Sequence, residues 1–346
     1  NLKRPQQKSY PYIHGLYFVL RTSGLSQIIT KGKKAKLVLD EQLLKIWQGL
    51  NPTEQYFTLL ESWLIWGESE VLGNYRDSFN QLYRCLLFWM ERPNKGLTLN
   101  SYSEQDKLAY YPGIHNLALL HLFGFIELTP GEPEPSKGWR INVIKRCNLG
   151  DAMIAFLGKF YTENESKSEE EETSIDFRIA FEKLQPHLQP YFPEWQQSLT
   201  LNKGGFTEAI YIFKVSLLDA WRRIAIPSNL NFDEVAVAVV DAFDFDIQHL
   251  YRFIYKDRLG RYFELSHPFV DIPPNTGDFR LGDLPLEVGN HLQFIFDLLD
   301  EWEFDLHLEK IESVNEKIKQ LQILNSHGKP PSQYGDDEDE WVIINL

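Results

Sequence analysis

Cysteine is nearly absent from this 346-residue chain: Cys85 and Cys147 are the only two, and neither belongs to a Cys-x-x-Cys pair. A disulfide framework is thereby excluded, and a reducing, cytoplasmic setting is expected. Long apolar runs are absent too. The longest, Cys85–Met90 and Val235–Val240, fall short of the about 18 residues a membrane-spanning helix needs, so no membrane association is expected. There is no glycine-rich phosphate loop ending in Lys-Ser/Thr, no dinucleotide fingerprint, no Gly-x-Ser-x-Gly elbow and no His-Glu-x-x-His pair. No catalytic residue, cofactor or bound metal is therefore expected, which turns the reading toward binding.

What is present is the composition of a folded protein, 43% hydrophobic and 14% aromatic, in a chain long enough for two or three domains. The net charge of −14 argues against a protein that coats nucleic acid. Its distribution is uneven. Of 35 basic and 49 acidic residues, residues 1–39 hold Lys3, Arg4, Lys8, Arg21, Lys31, Lys33, Lys34 and Lys36 and no acid. Segregation of this kind is read in two ways, as contact with a polyanion or an acidic partner and as a solvated basic end.

The first organised stretch, Tyr10–Leu25, carries Ile13, Leu16, Tyr17 and Leu20 at helical spacing, with Gly24 where a helix would stop. Ser26–Thr30 and Ala35–Leu39 read as strands around the basic tip Lys31–Lys34. Helix, strand, basic tip, strand is the order of a winged helix, and Arg21, Lys31, Lys33, Lys34 and Lys36 are the expected binding residues. The pattern returns roughly a hundred residues later. Tyr111-Pro-Gly-Ile-His-Asn-Leu117 repeats Tyr10-Pro-Tyr-Ile-His-Gly-Leu16 with two differences, followed by Gly124, strands at Phe125–Leu128 and Trp139–Ile144, and a helix from Leu149. Two winged-helix-like units in tandem are expected, over residues 1–50 and, with a helical connector, 51–160. The chain starts at Asn1, so the first unit is expected to be incomplete at its start. His14 and His115, aligned by the repeat, have no neighbours at ligand spacing and read as packed imidazoles. In the connector, Asn51-Pro52-Thr53-Glu54 opens a helix toward Trp66 with an apolar stripe of Tyr56, Leu59, Leu60, Trp63 and Leu64. A second helix, from about Tyr75 to Trp89, is expected to bury Phe79, Leu82, Tyr83, Leu86 and Leu87.

The acidic stretch 161–174 has no large apolar residue after Tyr161 and reads as a linker. Residues 175–334 are expected to form an α+β domain. Ile210–Leu217, Trp221–Pro227 and His249–Tyr255 read as strands, and Phe232–Phe243 as a helix with one continuous apolar face. Leu292, Phe294, Phe296 and Leu298, then Trp302, Phe304, Leu306 and Leu308, alternate with other residues, as in a hairpin turning at Leu299–Glu301 within a half-exposed antiparallel sheet covered by at least one helix. In the tail, residues 335–346, acidic Asp336–Glu340 precede apolar Trp341–Leu346. That pattern suits a docking peptide for a protein partner and equally a strand completing the chain's own sheet.

The segments Trp221-Arg-Arg-Ile-Ala-Ile-Pro227, Phe243-Asp-Phe-Asp-Ile-Gln-His-Leu-Tyr-Arg-Phe253 and Phe296-Asp-Leu-Leu-Asp-Glu-Trp302 resemble, in order, the three signature blocks of the plasmid pRi ORF-three-like family. Members of that family occur in mobile elements, some labelled as transposon passenger or resolvase-like proteins. The resemblance covers about Phe206 to Tyr334 and implies a fold and a genomic setting, not a reaction. It marks Trp221, Arg222, His249, Asp297, Asp300 and Trp302 as signature positions with structural roles, carboxylates on turn amides and an indole in the core. The family's third block commonly reads aromatic-Asp-x-Gly-Asp-Asp/Glu-Trp-x-His; here Leu299 replaces the glycine and Phe304 the histidine. The function expected is a non-enzymatic binding or adaptor protein that engages DNA or a protein through the winged-helix-like units. The alternative is a metal-dependent nuclease or recombination accessory, with Asp297, Asp300, Glu301 and Glu303 holding a divalent cation near His249, His291 and His307.

Overall fold

In the computed structural model the first Tyr-Pro-x-Ile-His opens helix α1 (Pro11–Thr22), and Gly24, at φ +73°, ends it in the left-handed conformation that glycine adopts without strain. The structure describes residues 6–31, 34–72, 80–91, 96–132, 139–168, 179–201, 205–257, 259, 262–270, 274–314 and 321–334. It divides into two units, one of residues 1–171, 179–201 and 258–261, the other of residues 172–178, 202–257 and 262–346.

After α1 come β1 (Ser26–Lys31) and β2 (Lys34–Leu39), a two-stranded antiparallel sheet in which Ser26 faces Leu39 and Lys31 faces Lys34. The Asp40 carboxylate accepts the Leu43 amide at 2.9 Å and so caps α2 (Glu41–Gln48). The buried face of α1 differs from the expected one. Ile13 and Leu16 are 58% and 49% exposed, whereas Gly15, Phe18, Val19 and Thr22 are buried. The reason is close approach: a Cβ on Gly15 would stand 3.0 Å from Leu119 Cγ and 3.2 Å from the His115 carbonyl oxygen, so a small residue decides which face docks.

Helix α3 (Pro52–Leu64) starts with a reciprocal cap, the Asn51 side chain accepting the Glu54 amide at 3.0 Å and Glu54 accepting the Asn51 amide at 2.9 Å. Its core face centres on Phe57, Leu60 and Trp63, with Tyr56 and Leu59 only partly buried. Helix α4 (Gln81–Met90) is shorter than expected; Tyr75 and Phe79 lie outside the described residues, and Leu82, Cys85 and Phe88 fill the core. Next come β3 (Leu97–Thr98), α5 (Tyr102–Lys107), α6 (Ile114–Leu122), β4 (Ile126–Pro130) and β5 (Ile141–Arg146), the strands lying in the order β3-β5-β4. Gly124, at φ +76°, ends α6 as Gly24 ends α1. The α1 and α6 helices pack together, with His14 against His115 at 5.7 Å and Phe18 against His115 at 5.5 Å. Burial, with Lys8 nearby, holds His14 below its ordinary pKa, favouring a neutral, packed ring.

Helix α7 (Asn148–Ser168) runs through the first half of the expected linker. Its extension is polar but helix-competent: Lys159 and Glu163 pair at 3.6 Å one turn apart, and the Thr162 hydroxyl donates to the Gly158 carbonyl. Residues 169–174 lie outside the described residues.

The next segment, with β6 (Ile179–Ala180), α8 (Gln185–Leu188) and β7 (Thr200–Leu201), belongs to the first unit rather than to the 175–334 region assigned from sequence. Helix α3 holds it. Glu61 accepts the Lys183 and Leu184 amides at 3.0 and 2.7 Å, Glu54 accepts the Gln196 and Gln197 amides at 2.9 and 2.7 Å, and Trp195 stacks on Phe57 at 4.2 Å.

The second unit is built on a seven-stranded antiparallel sheet. Its strands are β8 (Ile210–Leu217), β9 (Ala220–Pro227), β10 (Tyr251–Lys256), β11 (Tyr262–Ser266), β12 (His291–Phe296), β13 (Trp302–Glu312) and β14 (Gln322–His327), in the order β11-β10-β12-β13-β8-β9-β14. Helix α9 (Phe232–Ala242), capped by Asn231 and Glu234, covers one face through Val235, Ala236, Val239 and Val240. Alternation places Tyr211, Phe213, Phe253, Phe294, Phe304 and Leu306 in that core, each fully buried aromatic contributing roughly 2–3 kcal/mol. Strand β12 stops at Phe296, so Leu298 lies in the turn and not on the sheet. No helix among the described residues is long and apolar enough to cross a membrane.

Candidate functional site

Of the residues expected to bind a partner, Lys31, Lys34 and Lys36 belong to the β1–β2 hairpin and Arg21 to α1. The register sets Lys31 opposite Lys34 at its end, and Lys36 lies exposed two residues along β2. Lys33 lies outside the described residues, and of Lys31 and Lys34 only the backbone is described. Arg21 serves the fold instead: its Nη1 donates to the Ser26 carbonyl at 3.0 Å and ties α1 to β1. The hairpin also carries exposed apolar side chains. Ile28 and Leu37, paired across the strands, are each 45% exposed, and Leu39 is 52% exposed. Strand periodicity sets Leu37 and Leu39 on the same face, so apolar side chains meet solvent on the strand that also carries exposed Lys36. The signal was in the sequence, since both strands alternate and nothing nearby supplied a covering helix.

The family-signature residues of the second unit act as ties between elements. The buried Arg222 guanidinium donates to the carbonyls of Ala242 at 2.9 Å, Trp221 at 3.0 Å, His327 at 3.1 Å and Gly328 at 3.3 Å, and lies over the Phe243 ring. It thereby joins β9, the end of α9 and β14. Trp221 stacks on His327. Asp297, itself buried and at φ +56°, accepts the Leu299 amide at 3.1 Å through Oδ1 and pairs with His249 Nδ1 at 2.9 Å through Oδ2. Nearby, Gln333 donates to the Asp246 carbonyl at 3.0 Å, and Tyr334 Oη lies 3.5 Å from His249 Nε2. Asp300 is exposed, and Trp302 packs edge-on against Phe245 at 5.2 Å. Phe304, where the family carries a histidine, is wholly buried between Phe243 and Phe245. Leu299, where the family carries glycine, is exposed; the positive φ angles of this turn fall at Asp297 and Glu301, so the turn does not need glycine there.

The acids and histidines proposed as a metal site do not gather. His249 sits at the turn end of the β12–β13 hairpin with Asp297. His291 and His307 stack on each other at 4.5 Å at its far end, about five residues or roughly 17 Å along the strands, where His291 Nδ1 meets Asp305 at 2.7 Å. Among the described residues no three His, Cys, Asp or Glu side chains are placed to hold a metal ion. A recess of 310 Å³ on the sheet's open face, lined by Lys256, Tyr262, His291, Gln293, Glu303 and Asp305 among others, is a trough between exposed strand side chains.

A family comparison falls on the second unit's sheet region. Residues 209–337 match the plasmid pRiA4b ORF-3-like protein family. This pRi-like region takes in the seven-stranded sheet and its covering helix, and of the first unit it includes only residues 258–261. Among solved structures, the chain is similar to a protein of unknown function from Methanosarcina mazei Go1, at 23% identity over 36% of this chain and 72% of that one, with a TM-score of 0.33. No curated protein matches the chain.

Proposed function

We propose that this chain is a non-enzymatic binding or adaptor protein whose first unit captures an acidic, partly apolar protein segment through the β1–β2 hairpin, while the pRi-like unit serves as scaffold. The observation that carries this reading is the hairpin itself, which sets exposed Ile28, Leu37 and Leu39 on one face and exposed Lys36 beside them, in a lysine-rich stretch of sequence. A polyanion alone would use only the lysines. Exposed apolar side chains in register call for a partner that also buries apolar surface.

The order α4, β3, α5, α6, β4, β5, with strands arranged β3-β5-β4, supports a winged-helix reading of the first unit, and α1, β1, β2 repeat its last three elements. In such folds the helix before the wing enters the major groove. Here α6 has no lysine or arginine, residues Asn116–Leu120 are buried, and α1 packs against it, which favours a protein partner over duplex DNA. Binding of a labelled peptide carrying an acidic run followed by apolar residues, at low ionic strength, tests the reading. The expected outcome is saturable, salt-sensitive binding that is lost when Lys31, Lys33, Lys34 and Lys36 become Glu. Binding of duplex DNA in place of the peptide would redirect the function to nucleic acid, and binding of neither would overturn it.

A further inference from the structure

We propose that one end of the seven-stranded sheet is a docking surface for a basic, amphipathic segment of another protein, a proposal that goes beyond the hairpin reading and does not rest on it. The strand registers bring four segments of the second unit to that end. Phe296 opposite Trp302 closes the turn 297–301, and Leu217 opposite Ala220 closes the turn Leu218–Asp219 on the neighbouring hairpin. Tyr251 opposite Phe296 brings the approach to β10, residues 243–250, alongside, and His327 opposite Trp221 brings the end of β14 and the start of residues 328–334. Cross-links fix these segments: His249 Nδ1 meets Asp297 at 2.9 Å, Gln333 donates to the Asp246 carbonyl at 3.0 Å, and Arg222 joins Ala242 to His327.

What this end presents to solvent is apolar and acidic. Leu299 is 94% exposed, Leu218 77% and Tyr334 61%, so large apolar side chains stand out at both hairpin tips and beside them. The exposed acids Asp219, Asp244, Asp246, Asp300 and Glu301 surround them, and these segments hold a single lysine or arginine, Lys329. The backbone is also under strain here. All four non-glycine residues at positive φ among the described residues, Leu218, Asp244, Asp297 and Glu301, lie at this end. The charge names the partner. Acids repel a phosphate backbone or an anionic membrane, whereas lysine or arginine on a protein segment would meet them. The two leucine tips need apolar cover in the same partner, and they lie two strand spacings apart, roughly 10 Å. A helix with leucines on one face and lysines beside them supplies both, since its residues i and i+7 also stand about 10 Å apart.

Titration of the full chain with a labelled leucine–lysine peptide, its leucines at helical spacing, tests this. Three variants are compared with the parent: L218S/L299S, D300K/E301K, and E287K/E312K as a charge-matched control at the opposite end of the same sheet. All six altered side chains are exposed, so the variants should melt with the parent. The parent is expected to bind saturably. L218S/L299S and D300K/E301K should each weaken binding about tenfold or more, while the control stays within about twofold. Loss on acid reversal with no effect of the leucine changes would mean adhesion by charge alone and overturns the proposal, as does equal weakening by the control or no binding by the parent. The hairpin reading is judged with an acidic peptide and lysine reversals in the first unit, so either can fail while the other stands.

Discussion

Glu61 shows how a single side chain sets the limits of this fold. It is fully buried, and loss of hydration pushes its carboxyl up to about 8, against the opposing pull of the Leu184 and Lys183 amides. With an ordinary value of 4.5 in the unfolded chain, the folded protein holds a proton between pH 4.5 and about 8 that the unfolded chain releases. Stability from this group is therefore greatest below pH 4.5 and declines as pH rises through that window. Glu61→Gln cannot titrate, so its urea midpoint should vary less between pH 5 and pH 8 than the parent's. Its amide NH₂ must also face one of the two backbone donors, lowering stability by about 1–3 kcal/mol at pH 5. Parallel pH profiles for the two proteins would show that Glu61 is not the titrating group. The signature residues invite a second comparison. Arg222→Ala strands four carbonyl acceptors and should cost about 3 kcal/mol or more, whereas exposed Asp300→Ala should stay within about 0.5 kcal/mol. Equal effects in chemical denaturation would remove the distinction between tying and surface positions.

At the scale of elements, most of the sheet unit was legible because its strands alternate cleanly and its helix has one apolar face. Strands β8, β9 and β12 and helix α9 fall within a residue or two of where periodicity put them, and β13 starts at Trp302 as expected but runs on to Glu312. The first unit was harder to read, for three physical reasons. Helix α1 is apolar nearly all round, and the face that docks was chosen by Gly15, whose missing side chain contributes nothing to a hydrophobic pattern. Acidic composition suggested a linker where α7 continues, because exposed Glu and Lys favour helix as readily as they favour solvent. The segment 179–201 went to the wrong unit because its anchors are Glu54 and Glu61, carboxylates that look like surface residues in a sequence yet accept four backbone amides inside the fold. Their seven-residue spacing, on the same face as Phe57, was the available clue. The candidate site was half legible: its lysines stood out as a charge run, while Ile28, Leu37 and Leu39 resembled ordinary core strand residues until no cover was found for them.

For the whole molecule, the decisive feature is that two aromatic cores form separately. One is centred on Phe57, Trp63, Phe88 and Phe125, the other on Phe213, Phe253, Phe294 and Phe304, and none of the described residues belongs to both. Cooperativity follows shared burial, so each core should melt as its own unit and a single two-state description should fail. Phe294→Ala and Phe57→Ala each remove a fully enclosed ring, at a cost of about 3–5 kcal/mol. In units of this size that lowers a transition by roughly 10 °C. Calorimetry of the full chain should resolve two transitions, Phe294→Ala lowering one and Phe57→Ala the other, with the β1–β2 amides losing protection alongside the transition that Phe57→Ala moves. A single transition displaced by both substitutions would mean that the two cores unfold together, and the picture of a scaffold unit that stands independently of a partner-binding unit would have to be given up.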